Sequence, residues 1–143
     1  MARRPSSAYS LIAELFASPT DPMPKASRNH TLMRVYSGLR SLERDADPSV
    51  DDWKAINEAA FLMETLVTMG ICADSGLLSE ATIALTLAGC RKIEGKPLRL
   101  DAHGIQAVRG LLEDYKTVLE ALPHRTMVQC HRATEKRLQA EKP

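Results

Sequence analysis

Between Asp101 and Pro123 the apolar residues fall on one side of a single helix. Ile105, Val108, Leu111, Leu112, Tyr115, Val118, Leu119 and Leu122 recur at steps of three and four without interruption. A stripe this long is stable only when other elements cover it. The cover must come from the rest of a 143-residue chain, which suits one domain with a real core and is short for two.

The remaining segments supply helices. Leu32, Val35, Tyr36, Leu39 and Leu42 form a stripe on a first body helix from about 27 to 44. Ser49 is a good N-cap for a second, and Asp51 and Asp52 suit the positive end of its dipole. This helix runs to Met69, with Gly70 as its stop. Trp53, Ile56, Ala59, Ala60, Met63, Leu66 and Val67 make its core stripe, with Trp53 anchoring the start. A third helix, from Ser75 or Gly76 to Ile93, carries Ala81, Ala84 and Ala88 on one line and stops at Gly95 and Pro97. Leu98-Arg99-Leu100 reads as an extended lead-in to Asp101, the N-cap of the long fourth helix, whose Arg109 faces Glu113 at i,i+4. After Pro123, Thr126 and Gln129 make a capping box for a last helix over 127–140, fraying at Lys142-Pro143. Ahead of the body, residues 7–17 form a short helix with Tyr9, Ile12, Leu15 and Phe16 on one side, and Pro19, Pro22 and Pro24 mark a linker. The expectation is an all-α bundle of about five main helices plus a short N-terminal helix. Residues 1–26 form an arm and 27–143 the bundle.

Composition narrows the function. Nineteen basic against eighteen acidic residues disfavour a cationic wrapper of nucleic acid, and six aromatics are few for a base-stacking binder. Charge is nevertheless segregated: residues 25–44 carry net +4, residues 45–80 net −7 and residues 81–143 net +4. Neighbouring helices of opposite sign attracting one another is the simpler account; one acidic surface steering towards a basic partner is the other. Cys72, Cys90 and Cys130 are odd in number and lack a C-x-x-C, which suits a reducing cytoplasm. Cys72 and Cys90 read as small buried residues. The longest near-apolar run, Ala81 to Cys90, is too short to span a bilayer, so a soluble, cytoplasmic protein is expected.

Catalytic signatures are missing: there is no phosphate loop, nucleophile elbow, dinucleotide fingerprint or H-E-x-x-H. His124, Cys130 and His131 lack the spacing of a metal site, and neither metal nor cofactor is expected. Glu58 and Glu64 read as solvated. Arg34, Arg40 and Arg44, with Arg132, Lys136 and Arg137, are the candidates for phosphate contact. The second body helix is apolar over more of its surface than one stripe needs: Phe61 lies about 80° from Trp53 on the wheel, and Leu62 and Met69 continue towards it. This points to a protein partner surface made of Phe61, Leu62 and Met69, covered either by the N-terminal helix in cis or by a second copy. In the homodimer, Tyr9, Leu15 and Phe16 are the arm.

The segment from Leu32 to Leu138 resembles the small, poorly characterised all-helical accessory proteins of proteobacterial phages, prophages and plasmids. The features that carry this are Leu39-Arg40-Ser41-Leu42, the turn Pro48 to Asp52-Trp53, Asn57, Met69-Gly70-Ile71, Arg91, Gly95, Leu98-Arg99-Leu100, Tyr115 and Thr126. The resemblance implies a mobile element in a bacterial cell and carries no chemistry. Together these readings predict a non-enzymatic protein-interaction factor that modulates or inhibits a host or element-encoded complex. A DNA- or RNA-binding regulator is the alternative.

Overall fold

A computed structural model describes residues 9–141, and they are all-helical, with no strand among them. The helices are α1 (Leu11–Phe16), α2 (Lys25–Arg44), α3 (Val50–Thr68), α4 (Leu77–Ile93), α5 (Ala102–Ala121) and α6 (His124–Ala140). The expected start of the first helix at residue 7 and the fraying at Lys142-Pro143 lie outside the described residues. No helix among the described residues is long and apolar enough to cross a membrane.

Local chemistry sets most helix ends. Ser49 accepts the amide of Asp52 at 3.1 Å, and Asp101 accepts that of Gly104 at 2.7 Å. Gly70 and Gly95 take positive φ after α3 and α4. There the amides of Ile71 and Lys96 return to the carbonyls of Leu66 and Arg91, both at 2.9 Å, closing the orphan carbonyls of each last turn. Leu98 and Leu100 are buried, so the short extended lead-in is pinned into the core before α5 begins.

Two helix starts differ from expectation. α2 begins at Lys25, two residues early, because Pro24 already accepts the Arg28 amide at 2.9 Å. α6 begins at His124, and the Thr126 capping box does not form. Its first amides are capped from the distant linker: His124 donates to the Asp21 carbonyl at 2.7 Å and Arg125 to that of Ser18 at 2.9 Å.

The core is built around α3 and α5. α2 packs on α3 and α5, α4 on α5 and α3, and α6 on α3. Contact between α2 and α3 is close because Gly38 has no side chain: a Cβ there meets the Asp52 carbonyl oxygen at 2.8 Å. Between α4 and α5, Ala84 and Gly104 play the same part, with 3.0 Å between their Cβ positions. With neighbours on so many sides, α3 buries a wider arc than its single stripe. Ala55, Leu62 and Thr65 are inside, whereas Trp53 and Val67 are half-buried.

Ion pairs connect helices rather than following single ones. Arg109 bonds Glu43 of α2 at 3.0 Å instead of Glu113 on its own helix. Arg34 pairs with Glu58 at 2.7 Å and Arg137 with Glu64 at 3.1 Å, so basic α2 and α6 are matched to acidic α3. Glu58 and Glu64 are therefore partners of neighbouring helices.

Candidate interaction groove and N-terminal helix

An apolar groove of about 460 Å³ runs between α3 and α4. Its floor is Trp53. The indole N–H donates to the Leu85 carbonyl at 2.9 Å, and the ring lies where Gly89 leaves room. Asn57 turns its amide to the Trp53 carbonyl at 2.9 Å, which satisfies it locally. Val50 and Phe61 form the α3 wall; Thr86, Cys90 and Ile93 form the α4 wall. The lining includes no carboxylate and no histidine. Among the described residues its one formal charge, Lys92, reaches Asp47 at 3.9 Å. What such a surface does best is bury apolar area.

The outer face of α4 extends this surface. Only Ala81, Leu85 and Ala88 of that helix are buried, while Ile83, Leu87 and Ile93 are exposed. Ile83 and Leu87 line a second, smaller hollow of about 140 Å³ against Leu100 and Gly104. The surplus apolar surface expected on the second body helix thus lies mostly on the third. Cys90, expected to be buried, is exposed in the groove, and Cys72 is half-buried.

The residues expected to form the partner surface separate. Phe61 is half-buried in the groove wall. Met69 is exposed at the end of α3, outside the groove lining. Leu62 is a correction: its side chain is fully buried, because α3 has neighbours on that side too, and it belongs to the core. Trp53 is part core anchor and part groove floor.

α1 does not lie on α3. It packs on α6 and uses its polar side to do so. Ser10 caps it, accepting the Ala13 amide at 3.1 Å. Glu14 meets Arg132 at 2.8 Å. Arg125 donates through Nε and Nη2 to the carbonyls of Glu14 and Leu15 at 3.2 and 3.1 Å. The Arg125 side chain at the start of α6 therefore caps the end of α1, while its own amide is capped by Ser18 just beyond that end. With Glu14 and Ala17 turned inward, the apolar side faces out: Leu11 is 54% exposed, Ile12 66%, Leu15 62% and Phe16 87%. Leu15 and Phe16 are on this outer face, but Tyr9 is not. Its ring stacks on His131 with centroids 3.9 Å apart and planes within 5°.

Burial governs the titrating groups near that stack. It raises the Tyr9 phenol, helped by the nearby carboxylates of Glu58 and Glu135, and raises Tyr115. It lowers His131 to about 4, so the ring is neutral at pH 7. The void between Tyr9, Tyr115, His124 and His131 is only about 30 Å³, room for little more than one water. Cys130 is buried with its thiol pushed up, a poor nucleophile. No group of three or more His, Cys, Asp and Glu with the geometry to hold a metal occurs among the described residues.

The six candidate phosphate contacts are not gathered into one patch. Arg34, Arg132 and Arg137 are engaged with Glu58, Glu14 and Glu64, and Arg137 also donates to the Phe61 carbonyl at 3.2 Å. Arg40 and Arg44 remain exposed on α2, where Asp45 and Asp52 adjoin them, and Lys136 is exposed on α6. Cys90, Thr86, Ile83, Leu87 and Ile93 went unrecognised in the sequence; the signal for them was apolar residues around most of the circumference of α4. No family model, curated protein or solved structure matches this chain.

Proposed function

We propose that this chain is a non-enzymatic protein-interaction factor that takes an apolar helix into the α3–α4 groove. The supporting observation is the groove itself: an uncovered apolar trough of about 460 Å³ that lacks carboxylates and histidines for acid–base chemistry. Helix-in-groove recognition uses this kind of surface, with residues at i, i+3, i+4 and i+7 inserted between two helices. The chain acts as an accessory of a mobile element by holding such a helix of a host or element-encoded complex. The mobile-element setting comes from the sequence resemblance alone.

The test is a groove substitution that leaves the core alone. Thr86 is exposed on the α4 wall, so Thr86→Arg puts a charge into the groove without entering the bundle. Tagged wild-type and Thr86→Arg chains are compared by affinity purification from bacterial cells, with far-UV circular dichroism to establish equal folding. Proteins enriched by wild type and lost with Thr86→Arg support the reading. Equal recovery with both chains overturns it.

A further inference from the structure

Among the described residues, two apolar surfaces lie uncovered and fit each other's chemistry. One is the outer face of α1, with Leu11, Ile12, Leu15 and Phe16 more than half exposed. The other is the α3–α4 groove. A six-residue helix is marginal alone. Here it is fixed by its polar side, through Arg125 and Arg132, with its apolar side to solvent. That is the reverse of a helix that docks to complete its own core. From the geometry we infer that this chain forms a two-fold homodimer by reciprocal docking, the outer face of α1 of each copy entering the α3–α4 groove of the other. The inference rests on the groove being a helix-docking site, and names α1 of a second copy as its occupant in the free protein, which a helix of the complex must displace.

Charge and area both support this occupant. Glu14, the only charged residue of α1, is turned inward to Arg132, so the outer face presents no charge to a groove whose single charge is Lys92. Four exposed side chains of this size present on the order of 500 Å². The groove is smaller than the arm, so one arm–groove contact buries about 650 Å² at most, too little for a specific stable interface. Two such contacts related by a two-fold axis bury about 1,300 Å², at the lower end of the stable range, and close the assembly. One arm per groove in each copy gives the required stoichiometry.

Cys90 makes the arrangement directly testable, because the exposed native thiol already lines the groove. Leu11→Cys places a second thiol on the outer face of α1, at the least exposed of its four apolar positions, and keeps Phe16 for docking. Mild oxidation of the Leu11→Cys chain should give a covalent dimer on a non-reducing gel. The unmodified chain, and the Leu11→Cys chain carrying Cys90→Ser, should give none. A dimer that forms equally without the arm thiol or without Cys90 overturns the groove as the arm's site. Light scattering of the unmodified chain at about 100 µM should report a dimer, a range where a useful dimer persists. Phe16→Asp and Thr86→Arg should each weaken it roughly a hundredfold or more, since each removes both copies of a contact. A monomer at that concentration overturns the homodimer. If the chain is monomeric but Thr86→Arg still abolishes recovery of other proteins, the groove reading stands with a different occupant. If neither dimerisation nor recovery responds to Thr86→Arg, both fail.

Discussion

The Trp53 indole occupies the space that a side chain at Gly89 would need: a Cβ there would sit 2.8 Å from Cζ2 of the ring. The ring is rigid and tied at Nε1 to Leu85, so it cannot retreat without losing that bond. Gly89→Ala gains about 1 kcal/mol of helix propensity but overpacks against the indole, which typically costs 1–3 kcal/mol. The expected net is a destabilisation of about 1 kcal/mol with a red shift of Trp53 emission. Gly110→Ala is the control. Its Cβ would meet Leu77 Cδ1 at 2.9 Å, the mobile end of a flexible side chain. That variant should be neutral or more stable by up to about 1 kcal/mol. Equal melting shifts for the two would mean that Trp53 does not rest on Gly89.

Where structure is set by near neighbours, the sequence showed it. Ser49 and Asp101 cap their helices, and Gly70 stops α3, because each needs only residues within a turn. α6 shows the limit. Its start depends on carbonyls of Ser18 and Asp21, far away in the chain, and no local pattern encodes that. Arg109 was matched to Glu113 by spacing, but Glu43 lies closer once α2 and α5 pack. Leu62 illustrates the difficulty with the site. Helical phase placed it beside Phe61, yet packing on several sides of α3 took Leu62 inward and left Phe61 in the groove wall. Residues such as Ile83 and Leu87 look like core in any one-helix reading; among the described residues they face only the start of α5 across a hollow, which leaves them more than half exposed.

A second prediction concerns two buried hydroxyls. Thr65 Oγ1 and Thr134 Oγ1 lie 2.6 Å apart between α3 and α6. The two hydroxyls hold two protons, so one is donated across the interface and the other to a carbonyl of its own helix; Phe61 lies 3.1 Å from Thr65 and Cys130 2.8 Å from Thr134. Either Thr→Val change alone removes the bond across the interface, at a cost of about 1 kcal/mol. Changing both should cost about as much as one, since the bond is lost only once and no hydroxyl is left behind. Strict additivity in urea unfolding would show that the two hydroxyls are not coupled.

His131 gives the fold an acid sensitivity. Its ordinary value is 6.5, and burial under Tyr9 lowers it to about 4. As pH falls below 6.5 the unfolded chain takes up the proton first, so stability is lost between about pH 6.5 and 4. The full difference below that window is at most about 3 kcal/mol. His131→Phe keeps an aromatic ring for Tyr9 and removes the titration. Urea midpoints for both chains should therefore diverge in favour of His131→Phe as pH is lowered from 7 to 4. Parallel profiles would place His131 in water rather than under Tyr9.

Arg125 should control the attachment of α1 more than the stability of the bundle. Its guanidinium supplies two donors to the last carbonyls of α1, while its backbone amide is capped by Ser18. Arg125→Ala removes the first set and spares the second. Hydrogen bonds from a charged donor contribute about 1.5–3 kcal/mol together with their acceptors, but partial exposure here reduces that to about 1 kcal/mol. Arg125→Lys should not restore them, since an ammonium lacks the planar fork that reaches two carbonyls at once. Amide hydrogen exchange is the measurement that separates the two levels. Protection over residues 13–17 should fall sharply in Arg125→Ala, with the amides of α3 and α5 unchanged. Because an arm must be held outward to reach a second copy, the same variant should also dimerise less than wild type. Loss of protection across α3 and α5 as well would mean that α1 is part of the cooperative core, which its four exposed apolar side chains argue against.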